Sequence, residues 1–447
     1  MLADTIAAVA TPPGEGSIGI IRLSGNEAIA IASKIVKTHK HPHLADSRSH
    51  SLRLAKIYDP ETGDLIDEVL VSVMRSPHSY TCEDIVEINC HGGPLAVARV
   101  LQLVLHLGAR LAEPGEFTRR AFLNGRLDLT QAEAVLDIIR ARSNAGMKAA
   151  LGQLEGKLSQ KLKEIELLIK SPLAAIEASL DFPDEVGEVD ASELNKLHQA
   201  ISAVEKLLDT WEEGRLLSEG IKIAIVGRPN VGKSSLLNAL LQQERAIVSN
   251  IPGTTRDTIE EITQLGGFPC RLIDTAGLRE TEDVLESIGV ARTKKAVNAA
   301  DVVLFLYDLS EGFIAADRQI LNEIEAKNII IVGNKADLLT EKVNTEVIRE
   351  YPVITISARE GTGLDELTAK IQEVVLGGKN ISVHGEPLLT RARHRAALAK
   401  CREHLEAAIS AWENGIPFDL IAIDLWAAIN NLGEITGATT REDLLDT

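Results

Sequence analysis

The sequence predicts a multidomain chain: a small α+β domain, then an all-α domain into which an α/β domain of the doubly wound kind is inserted. Three observations predict it. Apolar runs at 221–226, 302–306 and 329–332 end in glycine or polar residues, the pattern of buried parallel strands, and fall far short of the roughly 18 residues a membrane span needs. Helical periodicity flanks that region on both sides, and neither flank is large enough to stand alone. Residues 1–119 instead alternate apolar and polar positions over short stretches.

Within 1–119, strands are expected at 5–9, 19–23, 52–57, 69–73 and 85–89, and helices at 26–36 and 94–107. The first helical part covers 120–219. Thr130-Gln131-Ala132-Glu133 reads as a capping box, apolar residues then recur at helical spacing over 134–168, and Pro172 is expected to break the pattern. A second amphipathic segment runs over 191–211. The inserted domain occupies 220–378. The second helical part, 379–447, resumes near residue 388, with Leu398, Leu405, Ala408, Ile409 and Trp412 on one face, followed by 420–432.

Length suits about three domains, and 45% hydrophobic residues suffice for several cores. With 47 Lys plus Arg against 65 Asp plus Glu, the net charge of −18 excludes indiscriminate nucleic-acid binding over the whole surface. Any RNA contact must be local, at Arg119-Arg120 with Arg126, at Arg140 and Arg142, or along Arg391, Arg393, His394, Arg395, Lys400 and Arg402; solvated helix faces explain the same clusters. Cys82, Cys90, Cys270 and Cys401 form no Cys-x-x-Cys pair, which predicts a reduced compartment and no structural zinc. His39, His41, His43 and His50 have metal-like spacing but sit in a polar loop without a nearby cysteine. Met1-Leu2-Ala3-Asp4 carries an acid where a secretory signal carries basic residues, so no targeting segment and a cytoplasmic location are expected.

The chemistry concentrates in the inserted domain. Gly227-Arg228-Pro229-Asn230-Val231-Gly232-Lys233-Ser234 follows a strand-like run and opens a helix beginning with Ser235. Such a loop turns successive N–H groups toward phosphate oxygens, Lys233 reaches the β/γ phosphates, and the Ser234 hydroxyl can ligate Mg²⁺. Asp274-Thr275-Ala276-Gly277 ends another strand, supplying an acid for the Mg²⁺ shell and a glycine N–H for the γ-phosphate. In Asn334-Lys335-Ala336-Asp337, the Asp337 carboxylate can accept both donors on the guanine edge, a pair adenine lacks. Ser357-Ala358-Arg359 would close the base pocket by backbone contact. Four motifs in this order, each at a strand end, predict a GTP site.

Beyond these, Thr11-Pro12-Pro13-Gly14, Gly19-Ile20-Ile21-Arg22-Leu23-Ser24-Gly25, His91-Gly92-Gly93-Pro94, Pro114-Gly115-Glu116-Phe117-Thr118, Ala121-Phe122-Leu123-Asn124-Gly125, Leu127-Asp128-Leu129 and Gln131-Ala132-Glu133-Ala134 stand in one order. Together with the Gly227 loop they strongly resemble the MnmE, or TrmE, family of tRNA modification GTPases, over essentially the entire chain. The resemblance implies an N-terminal domain that binds 5-formyl- or 5,10-methylene-tetrahydrofolate and forms a homodimer. It also implies a flavoprotein partner, MnmG, in a heterotetramer, which with this chain and GTP adds a carboxymethylaminomethyl or aminomethyl group to C5 of the wobble uridine of certain tRNAs, away from any membrane. The family pattern places folate contacts on Arg22, Glu87 and Arg126. It places K⁺ on Asn230 and on oxygens of Ser249-Asn250-Ile251-Pro252-Gly253-Thr254, chiefly Ser249, Ile251 and Thr254, and gives Mg²⁺ a second ligand in Thr255. The family usually ends in Phe-Cys-Ile-Gly-Lys, whose cysteine is implicated in the modification and whose lysine approaches the folate. This sequence reads Asp443-Leu444-Leu445-Asp446-Thr447 at its end, so the tail is either missing from this form or not included in the sequence as given, and GTP turnover and dimerisation are the steps expected without it.

Two other classes share part of this pattern. An Era-type GTP switch would need an RNA-binding module such as a KH domain, and no Gly-x-x-Gly loop of that kind is evident; a folate enzyme of the aminomethyltransferase type would carry the GTPase as a regulator. Leu278 occupies the place where Ras-like enzymes put the water-orienting glutamine, and the resemblance assigns that task to Glu286. Glu286→Ala is expected to lower kcat at least about tenfold with GTP affinity nearly unchanged, as for a group acting mainly in the transition state. Steady-state kinetics beside a nucleotide titration checks it, and normal turnover would assign the water to another group.

Overall fold

The computed structural model describes residues 4–38, 43–186, 189–243, 260–274, 296–326, 328–339, 348, 351, 353–377 and 387–438. These residues fall into two compact units, those within 1–135 together with 436–438, and those within 136–435.

In the first unit the chain runs β1 (Ile6–Val9), β2 (Ile18–Ser24), α1 (Ala28–Ile35), β3 (Val36–Thr38), β4 (Ser51–Tyr58), β5 (Leu65–Met74), β6 (Ile85–His91), α2 (Pro94–His106), β7 (Arg110–Leu111) and α3 (Glu116–Leu123). Its seven-stranded sheet has the order β3-β4-β5-β6-β2-β1-β7, antiparallel except for β1 against β7. Alternation sets the faces. Val69, Val71 and Val73 of β5, Val86 and Ile88 of β6, and Ile21 and Leu23 of β2 share one core with Ile29, Ile35, Val100 and Val104 of α1 and α2. Arg22 and Glu87, out of phase with those residues and directly paired across β2 and β6, lie on the opposite face. The sequence reading missed the short edge strands β3 and β7, where two or three residues carry no alternation to read, and the short helix α3.

Charge is buried in the same unit. Arg120, 1% exposed, donates to both carboxylate oxygens of Glu83 at 3.2 Å, to Glu116 Oε1 at 3.1 Å and to Asp4 Oδ1 at 2.8 Å. Arg110 closes the net on Glu116 at 2.6 Å and on Asp4 at 2.8 Å. These bonds tie α3 to the chain just ahead of β1, and the Arg110 hydrogen bonds hold the Glu116 carboxyl at about 2.

Beyond α3 come α4 (Leu129–Arg140), α5 (Asn144–Leu154), α6 (Lys157–Asp181), α7 (Pro183–Val186), α8 (Ala191–Asp209) and α9 (Trp211–Glu219). The cap of α4 and the break in the following helical run differ from the sequence expectation. The capping box lies two residues earlier than Thr130…Glu133: Asp128 Oδ1 accepts the Gln131 N–H at 2.9 Å, and Gln131 Oε1 accepts the Asp128 N–H at 3.0 Å, while Thr130 is buried inside α4. The periodic run over 134–168 breaks at Ser143, which caps Gly146, and at left-handed Gly156, and not at Pro172. Pro172 stays inside α6, buried against the bundle, because packing outweighs one lost backbone hydrogen bond.

The second unit continues through β8 (Ile221–Gly227), α10 (Lys233–Gln243), β9 (Glu260–Leu265), β10 (Phe268–Asp274), β11 (Val302–Asp308), α11 (Ala315–Glu323), β12 (Ile329–Asn334), β13 (Val353–Thr355), α12 (Leu364–Leu376), α13 (Ala392–Glu413) and α14 (Phe418–Thr436). The sheet order is β13-β12-β11-β8-β10-β9, parallel except for β9 against β10. A separate bundle core joins Leu158, Leu162, Ile165 and Ile169 of α6 to Leu197, Val204 and Leu207 of α8, Leu398 and Leu405 of α13, and Leu425 and Leu432 of α14. Elements from both sides of the inserted sheet domain therefore build one bundle, as an insertion requires.

Because Glu116 ionises below its ordinary value of 4.5, its contribution to stability is complete above that value and is lost as pH falls toward about 2. Glu116→Gln is expected to flatten the acid-side fall of the unfolding temperature across that window. Thermal denaturation as a function of pH reads this, and an undiminished fall in the variant would contradict the assignment.

Candidate functional site

The parallel strands end in phase. Leu306 pairs with Gly227, Asp308 with Asn334 and Gly333 with Thr355, so the loops after β8, β11, β12 and β13 leave from one edge of the sheet. Asp274 ends β10 at the same edge, one strand from β8. The chain passes from β8 to β9 and β10 on one side and then to β11 on the other, which makes β8 the switch point where such sheets take ligands.

At β8 the loop turns directly into α10, whose first residue is Lys233. Its ammonium donates to the carbonyls of Gly227 at 2.8 Å and Arg228 at 2.7 Å, spanning the loop from its helical end to its strand end. Asn230 adopts φ 62°, and Asn230, Ser234 and Ser235 are exposed. Gly232 has φ 98°, and a Cβ there would stand 2.2 Å from Asn334 Nδ2, so only glycine admits the asparagine.

Asn334 joins the phosphate and base ends. Buried at 2% exposure, it donates Nδ2–H to the Val231 carbonyl at 2.9 Å and accepts the Ala358 N–H on Oδ1 at 3.0 Å. Ser357 Oγ donates to Asp337 Oδ1 at 2.6 Å and accepts the Glu360 N–H at 3.2 Å, fixing the acid against the following loop. Lys335, at φ 66°, pairs with Asp308 at 2.6 Å, and Asp308 also accepts from the backbone and hydroxyl of Ser310. Burial works against ionising Asp308, but Lys335 and Ser310 outweigh it and hold the carboxyl below its usual range. Of four non-glycine left-handed residues among those described, Asn230 and Lys335 both lie at this edge, where functional strain concentrates. Arg359 is exposed at its rim.

A second cluster lies in the first unit. Arg22 Nε donates to Glu87 Oε1 at 2.7 Å, and its guanidinium lies 5.8 Å from the Tyr80 ring centre and 5.6 Å from that of Phe117. Arg126 lies 4.8 Å from the Tyr80 ring centre and donates to the Tyr80 carbonyl at 3.1 Å. Tyr80 Oη is 2.9 Å from Thr118 Oγ1. Two cations, one acid and two aromatic rings thus share one partly exposed place.

The family described as MnmE helical domain matches residues 129–447, and that described as GTP-binding protein TrmE N-terminus matches residues 5–126. A protein named tRNA modification GTPase MnmE from Moorella thermoacetica is 65% identical over 452 residues, covering 100% of this chain and 98% of that one. The chain belongs to the MnmE family. Its namesake in Thermoanaerobacter pseudethanolicus is 48% identical, covering 100% of this chain and 98% of that one. Among solved structures, the G domain of the T. maritima FeoB iron transporter is 30% identical, covering 34% of this chain and 98% of that one, with a TM-score of 0.27.

The structure thus brings Asn230, Val231, Gly232, Lys233, Ser234, Ser235, Asn334, Lys335, Asp337, Ser357, Ala358 and Arg359 to one edge, and Arg22, Glu87 and Arg126 to one cluster. Ser249, Asn250, Ile251, Pro252, Gly253, Thr254, Thr255, Thr275, Ala276, Gly277, Leu278 and Glu286 lie outside the described residues, as do His39 and His41. No group of three or more His, Cys, Asp or Glu able to hold a metal occurs among the described residues, and the four cysteines are free thiols. Burial pushes the thiols of Cys270 and Cys401 up to about 12.

The arginine clusters are mostly engaged within the protein. Arg120 is buried in its ion net, Arg391 pairs with Asp137, Arg393 donates to the carbonyls of Glu434 and Ile435, His394 is fully buried, and Arg395 lies over Trp211. Sequence reasoning missed Asp308, Tyr80 and Phe117. Aromatic residues are only 3% of the chain, so rings placed among arginines and acids were the available signal.

Asn334→Ala would leave the Val231 carbonyl and the Ala358 N–H without their side-chain partner, each worth about 1–3 kcal/mol when buried. GDP affinity is expected to fall at least about tenfold. Equilibrium titration with a fluorescent GDP analogue measures it, and an unchanged affinity would dissolve the proposed link between the two ends of the site.

Proposed function

We propose that this GTP hydrolase is K⁺-dependent and acts with the flavoprotein MnmG to add a carboxymethylaminomethyl or aminomethyl group to C5 of the wobble uridine of certain tRNAs. The observation that carries the reading is the single strand edge at which the Asn334 side chain joins Val231, in the loop that carries Lys233, to Ala358, next to the Ser357 that holds Asp337. In this reading Asp337 accepts the two guanine donors, Lys233 leaves its two carbonyls to balance phosphate charge, and Asn230 offers its exposed carboxamide oxygen to K⁺. Ser234, at the start of α10, fits Mg²⁺ as an exposed hydroxyl beside the lysine, with Thr255 as the second side-chain ligand. Those cations would neutralise charge developing on the phosphates. Glu286 orients the attacking water, since Leu278 has no polar group for it.

The Arg22 cluster fits a tetrahydrofolate. Glu87 accepts from pterin N–H groups, Arg126 takes a carboxylate, and Tyr80 and Phe117 supply flat apolar walls. The chain works as a homodimer through its first unit, and GTP with K⁺ draws two nucleotide domains together. Among the described residues no helix is long and apolar enough to cross a membrane.

K⁺ is expected to accelerate GTP hydrolysis where Na⁺ does not, at matched ionic strength, and Asn230→Ala to remove the difference. Equal rates in the two salts for the unaltered protein would sink the ion reading.

A further inference from the structure

Asp317 is a fully buried acid that the proposed chemistry does not use. It lies in the first turn of α11, where Oδ2 accepts the Ile314 N–H at 3.1 Å. Its other oxygen accepts from Arg228 Nε at 2.7 Å, and Arg228 also donates to Glu311 Oε2 at 2.9 Å. Arg228 is the second residue of the phosphate loop, and its own carbonyl accepts Lys233 Nζ at 2.7 Å.

A buried ion pair is a poor stabiliser, because desolvation offsets most of the attraction and an apolar pair of equal volume packs as well. What the charge adds is direction: the rigid arginine fork fixes where its backbone must lie. The next residue is Pro229, whose ring locks φ, and after it comes Asn230 at φ 62°, a conformation non-glycine residues rarely adopt. Arg228 is therefore pinned through its side chain, a hold that persists when Lys233 leaves the carbonyl for phosphate, and the stiff Pro229 link carries that constraint to Asn230.

We propose that Arg228 is a positioning residue for GTP hydrolysis, its ion pair with Asp317 holding Asn230 in the left-handed conformation that offers the carboxamide to K⁺. This rests on the reading of Asn230 as a K⁺ ligand. Without the pair the start of the loop relaxes and Asn230 leaves that conformation, while Gly232, Lys233 and the N-terminus of α10 keep their hold on phosphate.

The test measures GTP turnover of the full chain against K⁺ at constant ionic strength, with GDP affinity measured in parallel, for Arg228→Ala, Arg228→Lys and Asp317→Asn. Arg228→Ala is expected to raise the K⁺ concentration for half-maximal stimulation at least about fivefold while GDP affinity changes less than about threefold. Arg228→Lys, keeping a single bond to Asp317, should fall between. If circular dichroism shows that Arg228→Ala does not fold, Asp317→Asn, which keeps the shape and removes the charge, reads the same quantities. An unchanged K⁺ response in the folded variants overturns the proposal alone, as does GDP affinity lost in step with the K⁺ response. Equal rates in K⁺ and Na⁺ for the unaltered protein overturn the proposal and the potassium reading together.

Discussion

Helix α9 is the constraint on which the second unit depends, because it belongs to two cores at once. Trp211 at its start is part of the bundle core, and Leu216, little more than one turn later, is part of the core around the nucleotide sheet. Arg215 between them pairs with Asp301 at 2.8 Å. The Asp301 carboxylate also accepts the Lys222 N–H at 2.8 Å, and its backbone N–H reaches the Lys222 carbonyl, so α9 is bonded to the beginning of β8 and the approach to β11. The returning chain closes the joint: Leu389 donates to Thr210 Oγ1 at 3.2 Å, and a Cβ on Gly214 would stand 2.2 Å from the Leu389 carbonyl oxygen. Both crossings into and out of the inserted domain are thus clamped by one short helix. Packed interfaces of this kind move as bodies and do not deform smoothly, so a shift of β8 must carry α9 and the bundle helices against it.

The chain places ion pairs with at least one buried member where they set direction, whatever they add to stability. Lys335 with Asp308 sets the base loop, Arg228 with Asp317 sets the phosphate loop, and Arg120 with Glu83, Glu116 and Asp4 sets α3 against the sheet of the first unit. Ion pairs out of water gain little net free energy, yet their geometry admits few alternatives. The net charge of −18 is compatible with this use, since several of the arginines that could have formed basic patches are consumed internally.

The nucleotide edge was legible because its chemistry demands particular residue types at strand ends. Gly227, Gly232, Lys233, Asn334 and Asp337 stand on short local motifs that need no distant context. Asp308 was not legible, because its role depends on Lys335 meeting it across paired strands, a register that no local pattern records. The capping box at α4 was displaced because Asp128 and Thr130 both satisfy the pattern, and only the hydrogen bonds choose between them. Pro172 misled for a related reason, since sequence shows the missing N–H and hides the packing that buries Pro172 within an unbroken α6. The folate contacts came by resemblance, and Tyr80, which brings Arg22 and Arg126 together, carries no motif of its own.

The coupling through α9 is tested most directly by hydrogen exchange in the intact chain, followed over α8 and α13 with saturating Mg²⁺-GDP and without nucleotide. Neither helix belongs to the strand edge, so added protection there must come through the joint. Slower exchange in α8 and α13 on binding, lost in Arg215→Ala, is the expected result. Protection confined to the loops after β8, β12 and β13, with α8 and α13 unchanged, would contradict it.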